Sequence, residues 1–250
     1  TLQQKGNNKV YSVNSVVGET NDGWLNDIQG RHIKEQHVLN AIKHAKSGYV
    51  DEGNVGAGTG TSCFGYKGGI GTSSRIIPKK HGGYTVGVLV QSNFGGILQI
   101  DGVPIAKEIN KYPENYKYND DGSCMIVIMT DAPIGPRNLE RLAKRGMMGL
   151  AKTGGIASNG SGDYVIAAST EKNNMIPYQS DSSILKIQEL KNEAVTPLFL
   201  AAVEATEEAI INSLFAARTM SGYENHERKS IPIEEVIELM KKHNSIYIID

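Results

Sequence analysis

The sequence has little of what marks several common classes of protein. Its 250 residues include two cysteines and one tryptophan, and the formal net charge is −1. Two cysteines cannot form a disulfide framework, and their spacing is not that of metal ligands. The small net charge gives no basic surplus for nucleic acid or an anionic membrane. No apolar run is long enough to span a bilayer. A content of 39% hydrophobic and 21% charged residues is typical of a globular chain.

Signals for metals and nucleotide cofactors are also missing. His37 and His44 lie seven residues apart, but no further ligands accompany them. The glycine-rich segment 53–75 has neither the spacing of a dinucleotide fingerprint nor the Gly-Lys-Ser/Thr ending of a P-loop. We interpret this segment as loop and strand packing near a site, and we expect no cofactor and no metal.

The beginning of the sequence predicts that an N-terminal part of the fold is absent. The first residue is Thr1, and residues 9–17 already have the pattern of an interior strand. Localisation therefore stays open, with a cytoplasmic protein favoured over an exported one.

Strand and helix patterns follow each other along the chain without an internal repeat. The strand patterns cover residues 9–17, 83–93, 123–130 and 164–168, and the helix patterns cover residues 33–47, 137–152, 196–218 and 230–243. This order predicts one domain of the α+β class, a mixed sheet covered by helices.

The chain changes character abruptly at the bond between Gly122 and Ser123. A polar run, residues 105–122, meets the apolar strand pattern 123–130 with no linker between them. One interpretation is a turn that enters a buried strand, which the local sequence favours because Gly-Ser turns are common. The other is a self-cleavage site that leaves Ser123 as an N-terminal nucleophile. An N-terminal serine carries its own base, since an α-amino group has a pKa near ~7.7–8.0.

Other polar residues stand at the ends of strand patterns, where they serve either turns or a site. Asn93 ends one strand, and Ser161 and Asp163 precede another. Glu19 and Trp24 lie in a polar loop after residues 9–17, where the tryptophan either folds onto the core or forms a pocket wall.

Six motifs in fixed order resemble the L-aminopeptidase/D-amino-acid esterase–amidase family, which includes the β-peptidyl aminopeptidases. The motifs are GETNDGWLNDIQGRH, EGNVGAGTGTSCFGYKGGIGTSSR, GGYTVGVLVQSNFG, DGSCMIVIMTDAP, LERLAKRGMMGLAKTGG and NGSGD. They span nearly all of residues 10–220, and their ordered combination is specific where any one alone is weak.

The resemblance implies a self-processing hydrolase with an αββα sandwich, similar to N-terminal-nucleophile hydrolases but with different connectivity. The chain would cleave itself between Gly122 and Ser123 into residues 1–122 and 123–250, and the cleaved heterodimers would form a homo-oligomer. The substrates would be peptides or amino-acid amides and esters, with neither nucleic acid nor a membrane as a partner.

The resemblance also implies a role for each candidate residue. Ser123 would be the nucleophile, and Asn93 would stabilise the oxyanion. Ser161 and Asp163 would position and polarise Ser123. Glu19 would bind the free amino group of the substrate, and Trp24 falls on the neighbouring pocket position, which varies among relatives.

Two alternatives stay open from the sequence. One is an acyltransferase of the ornithine acetyltransferase type, with the same fold; that type uses threonine as the new terminus, so Ser123 argues against it. The other is an unprocessed, non-catalytic binding protein in which Gly122–Ser123 is only a turn.

Overall fold

The structure, a computed structural model, describes residues 7–109, 122–178 and 180–246. Its strands are β1 (Ser62–Cys63), β2 (Tyr66–Lys67), β3 (Ile70–Ile76), β4 (Thr85–Asn93), β5 (Ser123–Thr130), β6 (Gly162–Ser169), β7 (Met220–Ser221) and β8 (Glu227–Arg228). Its α-helices are α1 (Glu35–Lys43), α2 (Ile105–Glu108), α3 (Pro136–Lys152), α4 (Thr196–Phe215) and α5 (Ile233–Lys242). None of the helices in these ranges is long and apolar enough to cross a membrane.

A four-stranded mixed sheet in the order β3-β4-β5-β6 is the centre of the fold. β3, β4 and β5 are antiparallel neighbours, whereas β6 runs parallel to β5. Alternate side chains of β4 and β5 point to one face and are buried in the core with α3 and α4: Val86, Val88, Val90, Cys124, Ile126 and Ile128. The predicted α+β class is confirmed.

Glycines allow the helices to approach this sheet and each other closely. A Cβ added to Gly146 in α3 would contact Val165 and Ile128 of the sheet at 3.1 and 3.3 Å. A Cβ added to Gly149 would instead lie 2.6 Å from the Val203 carbonyl oxygen of α4. One glycine therefore faces the sheet, and the other makes the contact between the two helices.

On the opposite face of the sheet, several apolar side chains are left exposed by the residues that the structure describes. Leu89, Met129 and Tyr164 have 36%, 39% and 64% of their surface accessible. The described part of the chain thus contributes one sheet and its helical layer to the expected sandwich.

The predicted strand at residues 9–17 is wrong. This segment is irregular and residues 11–19 are exposed, because the part of the chain that the structure describes offers it no strand partner. The first helix is also shorter than predicted: it is α1, with no buried residue. Both differences arise where apolar residues have nothing in the described ranges to pack against.

Candidate active site

Three strand ends bring the candidate residues to one edge of the sheet. The last residue of β4, Asn93, pairs with the first residue of β5, Ser123. On its other side Ser123 pairs with Gly162, the first residue of β6. The connectivity therefore places residues that are 30 and 39 positions from Ser123 in sequence directly beside it.

The Ser123 hydroxyl is held against the carbonyl group that precedes it. Ser123 Oγ donates a hydrogen bond of 2.6 Å to the Gly122 carbonyl oxygen. The Gly162 backbone N–H donates to the same oxygen at 2.8 Å. This carbonyl is buried at the start of β5, and Ser123 is half-buried.

Gly122 is a glycine because the site has no room for a side chain. An added Cβ would lie 2.8 Å from the Phe94 Cα and 3.2 Å from the Asn93 carbonyl oxygen. The residue does not adopt a left-handed φ. Space, not backbone strain, is therefore the physical requirement for glycine before Ser123.

The side-chain amide of Asn93 has a defined orientation. Its Oδ1 accepts a hydrogen bond of 2.9 Å from the Ser62 backbone N–H, and its Nδ2 donates one of 2.8 Å to the Asn21 carbonyl oxygen. A backbone N–H can only donate and a carbonyl can only accept, so the two amide atoms cannot be exchanged. An amide nitrogen carries two hydrogens, and the second can serve a further acceptor.

The loop that carries Glu19 crosses the ends of β4 and β5. Thr20 Oγ1 accepts a hydrogen bond of 3.0 Å from Gln91 Nε2, and Asn21 accepts from Asn93. A side chain on Gly18 would collide with Met125 of β5. The Glu19 carboxylate is exposed beside this edge.

Trp24 forms an aromatic and cationic cluster instead of folding into the core. Trp24 has 45% of its surface exposed. Its ring stacks on the His226 ring, with ring centres 3.8 Å apart and planes 6° from parallel. The Arg228 guanidinium lies 4.5 Å from the Trp24 ring centre and donates from Nε to Ser62 Oγ at 3.0 Å. His226 Nδ1 lies 2.9 Å from the Trp24 carbonyl oxygen, so this nitrogen carries the proton.

Asp163 is a buried carboxylate without a partner. It lies in register with Cys124, one position beyond the Ser123–Gly162 pair. Both carboxylate oxygens are buried, and neither has a hydrogen-bond partner in the described ranges. Burial raises the pKa of Asp163; the nearby Ser161 hydroxyl and Cys124 N–H oppose this rise without forming well-aligned hydrogen bonds.

The glycine-rich segment encloses a lysine that no sequence motif singles out. Lys67 is fully buried in β2, and its Nζ donates to the Gly58 and Gly68 carbonyl oxygens at 2.8 and 2.7 Å. Burial lowers the pKa of Lys67 to about 8. Lys67 is the register partner of Ser62, which holds Asn93.

The structure thus brings Ser123, Asn93, Gly162 and Asp163 together, with Glu19 and Trp24 on the loop bound to Asn93. Ser161 lies beside Asp163, but neither side chain is bonded to the Ser123 hydroxyl in this uncleaved chain. Within the residues that the structure describes, no three His, Cys, Asp or Glu side chains are grouped as metal ligands. The site contains a hydroxyl, amide donors and a buried carboxylate, which are functional groups that acyl transfer uses.

Known proteins are similar to this chain in both sequence and fold. A β-peptidyl aminopeptidase, BapA of Sphingosinicella microcystinivorans, is 43% identical over 246 residues, which cover 92% of this chain and 62% of that protein. The PH0078 protein of Pyrococcus horikoshii OT3 is 48% identical, with a TM-score of 0.81 over 90% of this chain and 61% of that one.

A third relative bears on the fold class. The L-aminopeptidase D-Ala-esterase/amidase of Ochrobactrum anthropi is 33% identical, with a TM-score of 0.83 over 96% of this chain and 68% of that one. It is described as a prototype of the serine aminopeptidases and a new variant of the N-terminal-nucleophile hydrolase fold, so the predicted fold similarity is confirmed.

The chain is therefore shorter than the proteins it matches, spanning 62% of the BapA relative. The family model described as Peptidase family S58 matches residues 1–228. This range includes every motif that carried the resemblance. The chain belongs to peptidase family S58.

Proposed function

We propose that the protein cleaves itself between Gly122 and Ser123 and then uses Ser123 as an N-terminal nucleophile to release N-terminal amino acids from peptides, amides or esters. The observation that supports this most directly is the 2.6 Å hydrogen bond from Ser123 Oγ to the Gly122 carbonyl. It holds the hydroxyl at the bond to be broken. Both named aminopeptidase relatives support the same class of reaction.

Cleavage creates the base that the serine needs. A serine hydroxyl is a weak nucleophile without one, and the new α-amino group of Ser123 has a reference pKa near ~7.7–8.0. The amine takes the hydroxyl proton during attack on the substrate carbonyl and returns a proton to the leaving group. Ser123 then carries the acyl group as an ester until water releases it.

Asn93 is suited to stabilise the oxyanion of the substrate. Its Nδ2 is oriented by Ser62 and Asn21 and keeps one hydrogen for a further acceptor. Loss of one such donor typically lowers the rate by about 10²–10³. Asn21 lies two residues from Glu19. The hydrogen bond from Asn93 Nδ2 to the Asn21 carbonyl oxygen therefore connects the oxyanion donor to the loop that carries Glu19.

Asp163 and Ser161 act on the new terminus. Burial raises the pKa of Asp163, and the nearby Ser161 hydroxyl and Cys124 N–H oppose part of that rise. Cleavage places an ammonium on the adjacent residue, Ser123. The buried carboxylate then has a cation to pair with, and Ser161 helps to hold both in place.

Glu19 is suited to recognise the free amino group of the substrate. Its exposed side chain stands on the loop that Asn93 holds, and Trp24 on the same loop, stacked on His226, is suited to form a wall beside the bound substrate. A carboxylate binds an ammonium through charge-assisted hydrogen bonds. We therefore expect substrates with a free N-terminal amine to be preferred.

Glu19→Gln should weaken the binding of substrates with a free amine. The charge-assisted hydrogen bond becomes a neutral one, so we expect KM to rise about tenfold, in line with roughly 1.5 kcal/mol for such a bond. The measurement is KM for an amino-acid p-nitroanilide and for its N-acetylated analogue, with Glu35→Gln on exposed α1 as a control. An equal effect on both substrates would show that Glu19 does not bind the amine.

Intact-mass measurement on the full-length protein tests the proposed function. We expect two fragments, of which the second begins at Ser123, and hydrolysis of amino-acid p-nitroanilides by the cleaved form. A single uncut chain that turns over these substrates contradicts the proposal. So does a cut chain whose second fragment begins elsewhere.

A further inference from the structure

One carbonyl oxygen in the site receives two hydrogen bonds, and only one of them comes from the nucleophile. The Gly122 oxygen accepts from Ser123 Oγ at 2.6 Å and from the Gly162 N–H at 2.8 Å. The first contact must be lost when Ser123 Oγ gives up its proton and attacks the Gly122 carbon. The second contact persists and points at the oxygen on which negative charge develops.

We propose that the Gly162 backbone N–H is the donor that stabilises the oxyanion of self-cleavage, separate from Asn93, which serves the substrate. This inference rests on the proposed cleavage between Gly122 and Ser123. It assigns a catalytic contact to a residue that has no side chain.

The reaction can be written with all atoms accounted for. Ser123 Oγ forms a bond to the Gly122 carbon, and the carbonyl oxygen becomes an oxyanion held by the Gly162 N–H. The bond from the Gly122 carbon to the Ser123 nitrogen then breaks, and the proton from Oγ ends on that nitrogen. Water hydrolyses the resulting ester, giving a Gly122 carboxylate, a free Ser123 hydroxyl and a Ser123 ammonium.

The position of Gly162 makes its N–H a rigid donor. It belongs to the first rung of the β5–β6 ladder, and the preceding turn is held by a 2.8 Å bond from the Ser161 N–H to the Ser158 carbonyl. A donor fixed before the reaction needs little reorganisation as charge develops, which is the condition for strong oxyanion stabilisation. A Cβ on Gly162 would lie 3.4 Å from Ser123 Oγ, an ordinary van der Waals contact, so alanine fits at this position.

Asn93 is engaged differently in the uncleaved chain. Its side-chain nitrogen donates to Asn21, and it is the Asn93 backbone oxygen that lies near Gly122. Gly122 and an incoming substrate therefore depend on different donors. The competing view is that the Gly162 contact is only a ladder hydrogen bond, with no influence on the rate of cleavage.

Gly162→Pro in the full-length protein separates these views, because proline removes the N–H. Proline is tolerated at the first residue of a strand, which is the position of Gly162 in β6. We expect the first-order rate of precursor cleavage, followed by intact mass, to fall by about 10²–10³. Gly162→Ala keeps the N–H and should slow cleavage far less, although it adds a Cβ beside Ser123 Oγ.

A backbone ester at the same position provides a second test if the proline variant does not fold. Gly162→glycolic acid replaces the N–H by an oxygen and adds no ring, and a melting transition close to that of the unaltered protein shows that the fold is retained. Slow cleavage in this variant supports the assignment of Gly162. Cleavage at the unaltered rate in a folded ester variant overturns that assignment and leaves the proposed function intact. If the unaltered protein never cleaves before Ser123, the proposed function fails and this inference fails with it.

Discussion

Ser123→Ala should yield an uncut chain without hydrolytic activity. In the proposed mechanism the same hydroxyl attacks the Gly122 carbonyl during processing and the substrate carbonyl during turnover, so its loss should stop both reactions. Removal of the nucleophile from a serine protease lowers kcat by a factor on the order of 10⁶. Intact mass and p-nitroanilide hydrolysis on the same preparation measure the two losses together.

Two further variants make this result specific. Ser123→Cys restores a nucleophile at the same position and should recover part of the cleavage. Ser182→Ala removes an exposed serine whose hydrogen bonds, among the residues that the structure describes, lie within its own loop, and it should cleave and turn over substrate normally. A Ser123→Ala protein that retains turnover would show that another group forms the acyl-enzyme.

Strand ends bring together three of the candidate residues that were identified from the sequence. Asn93, Ser123 and Asp163 each stand next to a strongly apolar run, and the structure places those strand ends side by side. A strand pattern reports which residue begins or ends a strand. It does not report strand order, so the parallel pairing of β5 with β6 could not be predicted from the pattern alone.

No local pattern identifies the residues that support the site from positions distant in sequence. His226 stacks on Trp24 across 202 positions, and Arg228 reaches Ser62 across 166. A lysine among glycines is typical of a surface loop, whereas in the structure two backbone carbonyl groups bind the buried Lys67 ammonium. Such contacts depend on how loops fold back onto the sheet, which neither periodicity nor turn chemistry determines.

The resemblance supplied what local patterns could not. Local patterns favoured a turn at Gly122–Ser123, and the structure describes Gly122 as the residue directly before the first residue of β5. What distinguishes this junction is the crowding of Phe94 against Gly122 and the two donors on its carbonyl. Of these groups, Phe94 and the Gly162 N–H are remote in sequence from Gly122.

Asp163→Asn should have opposite effects on activity and on the stability of the uncut chain. In the proposed cleaved enzyme the carboxylate would hold and polarise the Ser123 terminus, so its loss should lower kcat by about 10²–10⁴, the usual range for a group that assists proton transfer. In the uncut chain the same carboxylate is buried without a partner, which costs stability whenever it is ionised.

The pH dependence of unfolding tests whether the ionised Asp163 carboxylate destabilises the uncut chain. Burial raises the pKa of Asp163 in the folded uncut chain, so the folded state binds more protons than the unfolded state between the usual carboxyl pKa and the raised one. The free energy of unfolding therefore falls as pH rises through this window, and the penalty is fully present above it. Ser123→Ala/Asp163→Asn should thus unfold at the same temperature as Ser123→Ala below the usual carboxyl pKa and at a higher temperature at neutral pH.

Cleavage should remove this penalty. A Ser123 ammonium beside the carboxylate favours its ionised form, so the pKa of Asp163 falls and the loss of stability at neutral pH disappears. We therefore expect Asp163→Asn to stabilise the uncut chain and to destabilise the cut one at neutral pH, each kcal/mol appearing as about 2–4 °C in Tm. If Asp163→Asn shifted Tm in the same direction before and after cleavage, the carboxylate would have no pairing role. Opposite shifts would mean that a buried charge which weakens the precursor is the group that holds the new terminus in the mature enzyme.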